Sequence, residues 1–172
     1  EVYDYKSQFQ IFNNCRNAKG AVSNDRNYGG GTNAPMWHLN GNCDTIRVDS
    51  CDFAIAEWEG NFLIKNSNIR NAGSGTFIYN NATVQNVTGS LTAFGNMTIT
   101  NSSLSELIVK PGATVTATNS VLSPSVYGNA TFKNCDLRSL DIVAGSKTVI
   151  EGGKFSSPYN AIRCWYGECD IK

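Results

Sequence analysis

The chain has 172 residues, enough for one domain with its own core, and its 14 basic and 14 acidic side chains cancel. Zero net charge with only 16% charged residues argues against a nucleic-acid binder and against an acidic disordered tail. No apolar run approaches the roughly 18 residues of a membrane helix, so membrane insertion is not expected.

The chain opens on Glu1 and reads as a processed or excised segment. Tyr3, Tyr5, Phe9 and Ile11 alternate with Asp4, Lys6, Gln8 and Gln10, which predicts an amphipathic strand. Phe12-Asn13-Asn14-Cys15 follows, and Gly29-Gly30-Gly31-Thr32-Asn33 predicts a loop before Pro35-Met36-Trp37-His38-Leu39. Residues 1–45 are therefore expected to form an N-terminal strand and a capping excursion, and residues 46–172 the main body.

From residue 46 onward one phrase returns: apolar, polar, Asn or a small residue, two variable positions, then usually apolar. Its first residues are Val48, Ile64, Val84, Ile99, Ala117, Phe132 and Ile150, and Ile171-Lys172 opens an eighth copy. Val84 to Ala117, Ile99 to Phe132 and Ala117 to Ile150 each span 33 residues, and Leu104, Leu107, Val109 and Gly112 reappear as Leu137, Leu140, Ile142 and Gly145. Each phrase alternates with period two, which predicts a strand with one buried face, and its Asn can turn the chain in left-handed geometry or as an Asx-turn. Stacked coils let like residues pair in parallel, with the seven phrase-opening residues as one inward ladder joined by Leu104, Leu122 and Leu137. Eight coils of 15–20 residues give a rod of roughly 40 Å.

This pattern resembles the parallel β-helix proteins: the pectate-lyase-like solenoids, the bacterial surface adhesins and the phage tailspikes. The resemblance covers residues 46–172 and rests on coil length and the Asn turn. It implies an all-β parallel β-solenoid, extracellular, cell-surface or virion settings and contact with glycans. It carries over no catalytic motif.

Six cysteines suggest an oxidising compartment. Cys164 and Cys169 flank Gly167 closely enough for a local disulfide, and Cys15 shares its phrase position with Cys51, so a second bridge is open to that pair. Cys51 and Cys135 share a column about five coils apart, too far to bond. Asn81, Asn86, Asn96, Asn101 and Asn129 begin N-glycosylation sequons. Thr83, Thr98, Thr116 and Thr131 form an outward column.

Glu57-Trp58-Glu59 places two carboxylates about 7 Å apart on one strand face, but turn and surface roles account for them. Asp44, Asp49 and Asp52 lack a calcium-loop pattern, and the single His38 supports neither a zinc site nor a triad. No catalytic residue, metal or cofactor is assigned. The expected function is a structural or adhesive module whose N-terminal strand (Tyr3, Tyr5, Phe9, Ile11) joins copies head to tail; the alternative is a β-helix that binds or cleaves polysaccharide.

Overall fold

The computed structural model describes residues 9–13, 36–39, 45–50, 52–58, 61–70, 77–157 and 161–172. The calls on Tyr3, Tyr5, Cys15 and Cys51 lie outside these residues. Among the described residues there is no helix. The strands in chain order are β1 (Phe9–Asn13), β2 (Met36–Leu39), β3 (Thr45–Asp49), β4 (Asp52–Trp58), β5 (Asn61–Lys65) and β6 (Asn68–Arg70). Next come β7 (Phe77–Ile78), β8 (Ala82–Gln85), β9 (Thr88–Ala93), β10 (Asn96–Thr100), β11 (Ser103–Val109) and β12 (Thr114–Thr118). The last are β13 (Val121–Val126), β14 (Asn129–Leu137), β15 (Leu140–Val143), β16 (Lys147–Phe155), β17 (Ile162–Trp165) and β18 (Glu168–Ile171).

Among the described residues every pairing between these strands is parallel, a single antiparallel bridge joins Val143 to Tyr166, and the chain is an all-β parallel β-solenoid. One face stacks β1, β3, β5, β8, β10, β12, β14, β16 and β18 in that order. Along it Val48, Ile64, Val84, Ile99, Ala117, Phe132 and Ile150 are successive register partners, each no more than 3% exposed. Parallel pairing in strict register aligns side chains one coil above the next, so the repeat becomes a continuous core. A second face carries the inward column Ile69, Gly89, Leu104 and Leu122. Beside it runs the column Ile78, Ala93, Val109, Val126 and Ile142.

The turn between the faces has one recipe. Ser50, Asn66, Asn86, Asn101, Asn119 and Asn134 all hold φ between 49° and 55°, and Gly152 stands at the same step with φ 67°. Asn tolerates this left-handed geometry better than most side chains. The backbone N–H of each of Asn66, Asn86, Asn101 and Asn119 donates to the next coil's carbonyl, at Gln85, Thr100, Thr118 and Lys133. Side chains add a relay: Asn86 Nδ2 donates to Asn66 Oδ1 and Asn66 Nδ2 to Asp49 Oδ1, both at 2.9 Å. Just inside the turn, Ser67, Ser102 and Ser120 donate back to the carbonyls of Lys65, Thr100 and Thr118.

The structure refines the sequence expectation in the number of coils. About six turns are closed, fewer than the eight coils expected. Of residues 1–45 the described strands stack on the coils that follow: β1 lies on β3 with Phe12 opposite Val48, and β2 lies on β4. Within the chain, β1 thus gives one edge to β3.

Cys135 takes the serine step of its coil, 2% exposed, with its thiol donating to the carbonyls of Lys133 and Ala117. Burial pushes this thiol above its ordinary range. The expected Cys164–Cys169 disulfide is not formed, and both thiols are free. The two cysteines sit on different strands, Cys164 opposite Ile142 and Cys169 opposite Thr148, so each continues an inward column of the last coil. Cys164 Sγ instead donates to the Gly167 carbonyl at 3.1 Å. Iodoacetamide labelling of the native protein, read by peptide mass spectrometry, is expected at Cys164 and Cys169 but at Cys135 only after denaturation. Native-state labelling of Cys135 as fast as that of Cys164 would contradict its burial.

Candidate functional site

The outer surface of the first face is a ribbon of small polar side chains. Thr83, Thr98, Thr116 and Thr131 are register partners in one column, and Thr100 and Thr118 form a second beside it. Lys65 and Gln85 continue the second column at one end, Lys133 and Glu151 at the other. Threonine serves here as a β-branched strand residue whose hydroxyl faces water.

The C-terminal coils are stapled by charges. Arg163 makes a bidentate pair with Asp141, its register partner one coil away, with Nη2 2.6 Å from Oδ2. Lys133 reaches Glu151 at 3.0 Å, and Lys154 reaches Asp136 at 3.3 Å. A Ser156 side-chain hydrogen bond, aided by Lys154, holds the Asp136 carboxyl below its ordinary range against the opposing effect of desolvation. A lowered folded value means stabilisation that is present above the unfolded value of about 3.9 and lost as pH falls through the folded one. Limited proteolysis is therefore expected to open residues 152–172 at pH 3 and spare them at pH 7. Asp136→Asn should flatten that difference; if the variant keeps the full pH step, another group is responsible.

A third surface runs along the corner where the second face ends. The residue after each of Ile78, Ala93, Val109 and Val126 is Tyr79, Phe94, Lys110 and Tyr127. Because those four core residues are consecutive register partners, the four outer residues form one row along the solenoid axis. Tyr79 stacks on Phe94 with ring centroids 4.8 Å apart and planes at 29°, and Phe77 meets Phe94 edge-on at 6.0 Å. Lys110 Nζ lies 5.9 Å from the Phe94 centroid and 5.8 Å from that of Tyr127. Farther along, Trp165 pairs with Val143 and is 59% exposed.

The remaining sequence-derived candidates scatter. Asp49 accepts hydrogen bonds from Asn66 and Ser50, and these hold its carboxyl below the ordinary range, so it serves the turn. Glu57 takes the register position of Phe77 on one side and His38 on the other, and Trp58 that of Ile78. Asp52 pairs with Asn68; Asp44 and Glu59 lie outside the described residues. No group of three or more His, Cys, Asp or Glu placed to hold a metal occurs among the described residues. Asn81, Asn86, Asn96, Asn101 and Asn129 are all exposed, Asn86 and Asn101 at turn steps and Asn96 and Asn129 at strand starts.

Comparison of the chain with family models, with curated proteins and with solved structures gives no match.

Proposed function

We propose that the chain is a non-catalytic extracellular structural or adhesive β-solenoid, a subunit of a surface filament, fibre or virion appendage. The unbroken register of the first face supports this reading: from Val48 to Ile171 each coil repeats the inward position of the one before. Such a stack is a rigid rod whose ends offer strand edges and core side chains. On β18 the inward-column residue Ile171 is 58% exposed. Copies of the chain are the proposed partners: the edge of β1 not taken by β3 adds to β18 of the next copy, with Tyr3, Tyr5, Phe9 and Ile11 as the joining strand. A strand-addition contact of this kind is head-to-tail and builds open assemblies. The exposed sequons suit glycosylation in a secretory setting.

Electron microscopy and sedimentation of the purified protein test the proposal. Rods many subunits long are expected, reduced to single subunits by deletion of residues 1–11. A parent protein that stays monomeric at high concentration, or rods that survive the deletion, would overturn it. The row of exposed aromatics favours one further reading, a polysaccharide-binding β-solenoid.

A further inference from the structure

We infer that Cys164 and Cys169, on the last coil, form a two-thiolate site for a soft cation, copper(I), with the Thr148 hydroxyl as its hydrogen-bond donor. The site does not depend on head-to-tail assembly. β17 and β18 are joined by Tyr166 and Gly167, and the two cysteines flank that turn. Cys164 continues the inward column of Ile142, and Cys169 that of Thr148, both fully buried one coil beneath. The two thiols are thus presented to the inner side of one corner from either flank. Both are free and exposed, so an ion can reach them.

Thr148 supplies an independent sign of a ligand. Its column runs through Met97, Val115 and Ala130, all apolar, before it reaches Thr148. Thr148 is 0% exposed, and its Oγ1 has no hydrogen-bond partner among the described residues. A buried hydroxyl without an acceptor is a standing cost. Its register partner on the outer side is Cys169. A neutral thiol accepts hydrogen bonds weakly, whereas a thiolate accepts them strongly. Deprotonated, Cys169 gives that hydroxyl the acceptor it lacks. The corner is also held still. Tyr166 takes φ 59°, unusual for a bulky side chain, and a Cβ on Gly167 would lie 2.5 Å from Ile142 Cγ2 and 2.7 Å from the Val143 carbonyl oxygen. The turn is pressed onto the coil beneath, and Cys164 Sγ donates to the Gly167 carbonyl.

The donor set selects the ion. Zinc takes four ligands, and no third His, Cys, Asp or Glu joins the two thiols in a metal-holding group among the described residues. Thiolates prefer soft ions, and copper(I) is satisfied by two of them. Burial, then the charges of the neighbouring Cys164 and Asp170, push the Cys169 thiol above its ordinary range. Cys169 therefore keeps its proton until a cation offsets that negative charge. Binding exchanges two S–H bonds for two Cu–S bonds and releases two protons to solvent. Copper stays in its +1 state, and no electron moves.

The test uses the reduced full chain under anaerobic conditions, with tetrakis(acetonitrile)copper(I) as the probe. Iodoacetamide labelling read by peptide mass spectrometry reports each thiol, and competition with ferrozine, a chromogenic chelator, reports affinity. Circular dichroism and thermal melts verify the fold of each variant. Copper(I) is expected to suppress labelling of Cys164 and Cys169 together. The Cys164→Ser/Cys169→Ser variant should lose that affinity. Cys135→Ser, which puts serine where Ser102 and Ser120 stand in neighbouring coils, should keep it. Thr148→Val should bind about tenfold more weakly, while its melt stays at or above the parent's because an unsatisfied hydroxyl has gone. Labelling unchanged by copper(I), protection of one thiol without the other, or a disulfide formed in place of copper uptake would each overturn the inference. So would parent-like affinity in the folded double-serine variant, and parent-like affinity of Thr148→Val would remove the hydroxyl from the site.

Discussion

Ile99→Asp is expected to unfold the central coils. Ile99 is fully buried between Val84 and Ala117, its register partners on either side. Its neighbours along the strand are Thr98 and Thr100, which face outward, so no basic group is within the column to meet a carboxylate. The carboxyl must either stay charged in an apolar stack or take up a proton, and both carry a cost of several kcal/mol. Mutational losses above about 4 kcal/mol are rare, and a domain's whole stability is about 5–15 kcal/mol. In a solenoid each coil leans on its neighbours, so the loss spreads to the coils of Val84 and Ala117. Ile99→Val, which removes one methylene, should cost only about 1 kcal/mol. Denaturant melts of the two variants are the check. If the Asp variant unfolds at nearly the same denaturant midpoint as the Val variant, Ile99 is not in the core column.

That column was legible from the sequence because the αL turn punctuates it. Each phrase turns its chain at a residue that tolerates positive φ, so the apolar residue two places earlier is fixed in register. The second face carries no such mark. There β11 shifts register between Leu104 and Leu107, so a period-two reading loses step. The aromatic row went unseen for a related reason. Tyr79, Phe94, Lys110 and Tyr127 lie 15 to 17 residues apart and look like unrelated turn residues. A signal was present: each comes directly before a turn residue, Asn80, Gly95, Pro111 or Gly128. The Cys164–Cys169 expectation rests on nearness in sequence alone; in the structure both thiols are free and belong to different strands of the terminal coil.

Gly89→Ala is expected to be the most damaging of the small substitutions, and a second glycine supplies its control. Gly89 interrupts an otherwise large apolar column between Ile69 and Leu104. Its φ is +130°, and a Cβ built there would lie 1.9 Å from the Ile69 carbonyl oxygen. Two costs therefore combine: a backbone conformation that L-residues rarely adopt, and a collision with main chain that cannot swing aside. Relief requires β6 and β9 to separate, which breaks their short parallel pairing at Asn68 and Ile69. A loss of about 3 kcal/mol or more follows. Gly112 also has positive φ, +84°, but nothing lies within 4 Å of its virtual Cβ. Gly112→Ala thus carries the conformational cost alone, about 1–2 kcal/mol. The difference between the two variants in matched denaturant titrations measures the close approach of the coils at Ile69. Equal losses would mean that backbone conformation alone, and not contact between neighbouring coils, demands glycine at position 89.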